Sequence, residues 1–161
     1  MPPTAPHDVS SRFFTPRSLI YVVDSGTNAH PEFNDDGASN RVVREFSADD
    51  GNDVNGHGTH VAGLACGATY AYAKAATCVP LRVSNAEHQI TTQQLAAALE
   101  WIYDDVAGRS GRYERYVVNL SMCFSNSGPD AAVTLALLGL SQLNVSVVAA
   151  ACNEGNDNRA H

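Results

Sequence analysis

Charge is scarce in this chain, and basic charge is scarcest. Only 17% of the 161 residues are charged, with 10 Lys and Arg against 17 Asp and Glu, and the formal net charge is −7 at pH 7. A nucleic-acid or acidic-membrane surface needs clustered basic residues to neutralise phosphates, so neither partner is expected. No apolar run is long enough to cross a bilayer. The start, M-P-P-T-A-P-H-D-V-S-S-R-F-F, has no apolar core of a signal peptide, so this chain shows no export signal. The four cysteines form no C-x-x-C pair, which removes a zinc knuckle. Cys66 and Cys78 sit among apolar neighbours and read as buried free thiols. Repeats and low-complexity segments are also missing.

What is present is a core. Hydrophobic residues make up 44% of the chain, a globular composition, and the length suits one domain. Residues 1–17 read as a Pro-containing arm and 18–161 as the folded body. Four short β-branched or apolar runs punctuate that body, S-L-I-Y-V-V-D (18–24), T-C-V-P-L-R-V (77–83), Y-V-V-N-L-S-M (116–122) and V-S-V-V-A-A-A (145–151), and a fifth stretch, R-V-V-R-E-F (41–46), alternates more weakly. Runs apolar on both faces suit buried parallel strands. Helical spacing lies between them. Leu95, Leu99, Ile102 and Val106 share a face, Thr91 and Gln94 form a capping box, and Gly108 is a stop. The segment 130–144 is apolar nearly all round and reads as a well-buried helix, with Asn144 as its left-handed cap. Strands alternating with helices predict an α/β fold of three layers, a mostly parallel sheet flanked by helices.

In such a sheet ligands gather at the carboxyl ends of strands. Asp24 ends the first apolar run and is followed by the turn residues Ser25 and Gly26. By itself it reads as readily as an Asx-turn residue. His57 opens a helical stretch and is flanked by Gly56 and Gly58, each costing about 1 kcal/mol against Ala inside a helix. Such a cost points to backbone freedom or close approach around one imidazole. His60 lies one turn on. His57 and His60 suggest a metal-dependent hydrolase as a weaker reading, but no H-E-x-x-H motif or third ligand accompanies them. His60 therefore reads as a packed, hydrogen-bonded histidine, and no metal ligand is assigned. The acidic loop from Asn34 to Asp53 lacks calcium-loop spacing and reads as solvated. Asn153 ends the last apolar run, where its amide N–H₂ can donate to a developing oxyanion.

These stretches together resemble the subtilisin-like serine proteases. I-Y-V-V-D-S-G, N-G-H-G-T-H-V-A-G, V-V-N-L-S-M and V-V-A-A-A-C-N-E-G carry the likeness, and H-P-E-F with the segment 67–83 is most similar to the proteinase K branch. The resemblance runs from Leu19 to about Asp157. It implies that Asp24 is the triad aspartate, His57 the general base and then acid, and Asn153 the side-chain oxyanion donor. Ser121 and Met122 would lie on the strand that pairs with an extended peptide substrate. Cys123, Ala151 and Cys152 would line the groove with them. Calcium and an extracellular location are implied as family habits.

The chain departs from that pattern in three places. The G-T-S-M-A motif that carries the family's nucleophile does not occur in these residues, so the 161-residue chain alone is expected to be inactive, as the amino-terminal portion of a peptidase domain. Its missing carboxyl-terminal half is an expected partner, and without it apolar surfaces are expected to be uncovered. Cys123 and Phe124 replace small residues of the substrate strand, and Cys152 stands where the family has Gly before the oxyanion Asn. Together they narrow or block the pocket for the residue before the scissile bond. A bridge between Cys123 and Cys152 is an alternative to the simpler expectation of two reduced thiols. The competing functional reading is a non-catalytic peptide-binding or decoy protein of the same fold.

Overall fold

A computed structural model describes residues 18–33, 46–47, 52–84, 89–109, 112–113, 115–123 and 130–152. The arm 1–17, most of the acidic loop, Phe124 and Asn153 lie outside the described residues. The first strand, β1 (Ser18–Asp24), is buried at all seven positions. That is why its sequence does not alternate: both faces are covered. Leu19, Tyr21 and Val23 enter one core cluster, and Ile20 and Val22 enter another.

Four more strands complete a parallel sheet in the order β2-β3-β1-β4-β5. They are β2 (Phe46–Ser47), β3 (Thr77–Arg82), β4 (Arg115–Leu120) and β5 (Val145–Ala149). In register, Leu19 pairs with Thr77 through to Asp24 with Arg82 on one side, and Ser18 with Arg115 through to Val23 with Leu120 on the other. After β1 the chain builds outward to β2 and back to β3, then crosses to β4 on the far side. The carboxyl end of β1 is thus the point where the chain changes sides, the place at which such sheets hold their ligands.

Among the described residues, three α-helices cover the sheet. On one face α1 (His57–Cys66) packs Ala62 and Cys66 against Ile20, Val22 and Cys78. On the other, α2 (Thr92–Gly108) supplies Leu95, Leu99, Ile102 and Val106 to the larger cluster, as its spacing required. Burying each such side chain contributes about 1.5–3 kcal/mol before the entropy of ordering it. The Thr91–Gln94 capping box forms in both directions. Tyr21, fully buried in the central strand, donates its hydroxyl to Asp105 at 2.6 Å, and Arg109 closes on the same carboxylate at 2.7 Å.

Two expectations are corrected here. The helix α3 (Ala131–Gln142) is not buried all round: only Leu140 is fully buried, while Leu135 and Leu138 are 69% and 56% exposed. The same holds for β5, where only Val145 is buried. Both elements sit at the end of the sheet, and α3 packs on α2 and β5 through one side only. Asn144 does take the expected left-handed backbone, at φ 56°. The second correction concerns Cys66 and Cys78, which are bonded to each other rather than free. The last residue of α1 lies over the second residue of β3 with Cα atoms 6.2 Å apart, within disulfide reach.

The Cys66–Cys78 bond closes a short loop between α1 and β3. Replacing both by Ser is expected to cost about 2–4 kcal/mol by denaturant titration under oxidising conditions, and alkylation of the unreduced parent is expected to add no mass at either position.

Candidate active site

The carboxyl end of β1 delivers Asp24 into a turn that begins at once with Ser25. The side chain is 3% exposed, and its Oδ1 accepts the Ser25 backbone N–H at 2.8 Å. The same oxygen lies 2.7 Å from Nδ1 of His57, the first residue of α1. A carboxylate only accepts, so Nδ1 is the donor in this contact. The imidazole is 42% exposed, buried on its Asp24 side and open on another. Asp24 Oδ2 is buried without a hydrogen-bond partner among the described residues.

The two glycines around His57 have different duties. Gly56 has φ +94°, a left-handed backbone that side chains resist, and it turns the chain into the helix. Gly58 is a matter of distance. A Cβ there would lie 2.2 Å from the Gly26 carbonyl oxygen and 3.2 Å from Cβ of Asp24. The helix therefore begins in contact with the end of β1, and that contact brings the imidazole to the carboxylate.

A second acidic residue joins them. Asp53, assigned by sequence to a solvated loop, is buried and fully engaged. Its Oδ1 accepts from Ser25 Oγ at 2.8 Å, Asn55 N at 3.1 Å and Gly56 N at 2.7 Å. Its Oδ2 accepts from Thr59 N at 2.8 Å and Thr59 Oγ1 at 2.6 Å. Burial alone would raise its pKa, but the hydrogen bonds from Thr59, Gly56 and Ser25 outweigh it and hold the group below the ordinary Asp range. With both oxygens given to protein donors, Asp53 does not suit a cation, and no three His, Cys, Asp or Glu side chains gather to hold a metal among the described residues. Nor is His60 packed as expected. It is exposed, one turn beyond His57. A signal for Asp53 was legible: an Asp in the few residues before a helix start can reach the helix's unpaired amides, here from three residues ahead of the N-cap Gly56.

The remaining expected groove residues follow β4 and β5. Ser121 donates its hydroxyl to Asn119 Oδ1 at 2.9 Å, Met122 packs partly on the larger core cluster, and Ala151 is exposed. The expectation of two reduced thiols is overturned: Cys123 and Cys152 are disulfide-bonded, with Cα atoms 5.5 Å apart. The reason is the sheet itself. The Ala150 N–H still donates to Leu120 O at 3.0 Å, so the two exits leave the sheet side by side. Cys152 holds φ +64°, a conformation that favours glycine. Asn153 and Phe124 lie outside the described residues, so the geometry joins Asp24 to His57 and Cys123 to Cys152.

Comparison with known proteins gives the same family that the motifs suggested. A family model described as the subtilase family, peptidase S8, matches residues 17–161. Subtilisin-like protease 9 of Arthroderma benhamiae is 36% identical over 141 residues, which are 86% of this chain and 33% of that protein. An extracellular serine proteinase of a Thermus species is 33% identical over 144 residues, 86% of this chain and 31% of its own length. Among solved structures, a cold-adapted subtilisin-like serine proteinase superposes with a TM-score of 0.72 at 30% identity, over 90% of this chain and 50% of that one. The chain thus spans about a third of the length of these curated relatives. Matched by that family model over nearly its whole length, and alike in fold to a solved member, the chain belongs to the subtilase family of serine proteases.

Proposed function

We propose that residues 18–161 are the amino-terminal portion of a subtilisin-like endopeptidase domain and hold the acid–base half of its active site. The observation that carries this reading is the 2.7 Å contact between His57 Nδ1 and Asp24. Asp24 fixes the imidazole in the tautomer protonated on Nδ1 and stabilises the imidazolium that forms when Nε2 takes a proton. His57 then returns the proton to the leaving amine as general acid. Asn153, two residues past Ala151, is assigned the oxyanion donor; in subtilisin the loss of such a donor costs roughly 10²–10³ in kcat. The nucleophilic serine comes from the carboxyl-terminal remainder of the domain. That remainder also covers the exposed Leu135 and Leu138 of α3 and Val148 of β5. The substrate is a peptide or protein in extended form, paired against the segment from Ser121 to Cys123. Export is supported by two disulfides, which persist in oxidising compartments, and by the extracellular relative.

A second reading, a non-catalytic peptide-binding protein, is favoured by one feature. The Cys123–Cys152 bond ties together the two chain exits that flank the groove. On the enzymatic reading it narrows the pocket for the residue before the scissile bond; on the other it closes that pocket.

A fluorophosphonate probe separates these readings. The chain alone is expected to show no covalent adduct by intact mass. Joined to the carboxyl-terminal remainder of the Thermus proteinase, it is expected to label at one serine, and His57→Ala is expected to abolish this. Subtilisin, whose triad acts as a unit, sets the scale of loss at roughly 10⁶ in kcat. Labelling of the chain alone, or labelling that survives His57→Ala, contradicts the enzymatic assignment. In the same fusion, Cys123→Gly with Cys152→Gly is expected to raise the kcat/KM ratio for an aromatic over an alanine residue before the scissile bond by about tenfold or more. An unchanged ratio removes the bridge from the pocket.

A further inference from the structure

The amides on either side of His57 are held by one carboxylate. The Gly56 N–H donates to Asp53 Oδ1 directly, at 2.7 Å. The Gly58 N–H donates to Ser25 Oγ at 2.9 Å, and Ser25 Oγ–H donates to the same Asp53 oxygen at 2.8 Å. Ser25 is also the residue that follows Asp24, and its own N–H is bound by Asp24 Oδ1. Resting on the reading of Asp24 and His57 as a catalytic pair, we propose that Asp53, acting through Ser25, is the positioning residue that sets His57 at hydrogen-bonding distance from Asp24.

The physical need is plain. The carboxylate stands at the end of a rigid strand, but the imidazole stands on the first residue of a helix, where four N–H groups lack helical partners and ends fray. Fraying there would move the ring by ångströms, and misplacement by 1 Å is enough to cost about 10²-fold in rate. Asp53 takes up that slack. It caps α1 through the amides of Gly56 and Thr59, and the hydroxyl of Thr59 adds a third bond. A negative charge at a helix N-terminus is stabilised further by the helix dipole.

The loop that presents Asp53 is itself pinned to the turn after β1. Asn28 Nδ2 donates to Asp53 O at 2.7 Å, Asp53 N donates back to Asn28 Oδ1 at 3.1 Å, and Asn28 N donates to Thr59 Oγ1 at 3.0 Å. Ser25, Asn28, Asp53 and Thr59 therefore form one closed lattice around the His57 backbone. Ser25 and Asp53 are buried within it while Asn28 reaches the surface, and a bond lost at the buried pair leaves a group unpaired away from water.

Acid gives an independent sign. Asp53 lies below its ordinary value when folded, so the native state binds fewer protons than the unfolded chain. Its stabilisation is present above about pH 3.9 and is lost as pH falls below that and through the native value. Thermal melts of the parent are expected to fall steeply in that window, and those of Asp53→Asn to fall less steeply.

The deciding experiment is proton NMR of the 161-residue chain at a pH where His57 is protonated, reading the far-downfield Nδ1 proton of the His57–Asp24 hydrogen bond. The parent is expected to show this resonance and Asp24→Asn to lose it. Asp53→Asn and Ser25→Ala are expected to lose it or broaden it into solvent exchange while keeping the parent's far-UV circular dichroism, and Thr59→Ser, which retains the hydroxyl, to keep it. If Asp53→Asn does not fold, Ser25→Ala decides, since it leaves the cap on α1 intact. A resonance that persists unbroadened in folded Ser25→Ala and Asp53→Asn overturns the proposal and leaves Asp53 a helix cap alone. A folded parent without the resonance overturns instead the pairing of Asp24 with His57 on which the proposal rests.

Discussion

The rest of the site depends on one contact, the 2.7 Å hydrogen bond from His57 Nδ1 to Asp24. It joins two elements of different stiffness. Asp24 is the last residue of a strand buried at every position and paired on both sides. His57 opens a helix of ten residues whose other end is bonded to the neighbouring strand through Cys66 and Cys78. With one end of α1 tied covalently and the other laced to the turn after β1, the imidazole has little freedom to leave the carboxylate. Sheet order explains why this happens at β1. The chain changes sides there, so loops from both directions open a crevice over that strand's carboxyl end.

The glycines are the cost of that closeness. A side chain at position 58 would run into the Gly26 carbonyl, and position 56 needs a backbone that side chains resist. Each gives up helix stability, and the lattice centred on Asp53 compensates with bonds to the amides on either side of the imidazole. The residues that hold the start of α1 in place are thus bonded to the amides on either side of His57.

Much of the architecture was legible because it follows from periodicity. The all-apolar run 18–24 reads as a central parallel strand, and the spacing of Leu95, Leu99, Ile102 and Val106 reads as one helix face; both lie where that reasoning put them. The pairing of Asp24 with His57 was legible through resemblance rather than spacing, since 33 residues of chain separate them. What was not legible depends on neighbours. The segment 131–142 is apolar enough to be buried all round, yet its burial is decided by what lies beyond β5, which no local pattern carries. Cys66 and Cys78 read as buried hydrophobes because composition cannot report that a helix end sits over a strand. Asp53 was grouped with its acidic neighbours, although its place ahead of a helix start distinguished it. Charge alone does not say where a carboxylate points.

On the proposed reading, Asp24 fixes the proton of His57 on Nδ1 and Nε2 acts as the base. Nitrogen-15 NMR of the neutral imidazole reads this directly, because the protonated and unprotonated ring nitrogens resonate far apart. The account predicts a single tautomer for His57, with Nδ1 bearing the proton and Nε2 bare. A ring that carries its proton on Nε2, or that exchanges freely between tautomers as a solvated histidine does, contradicts it.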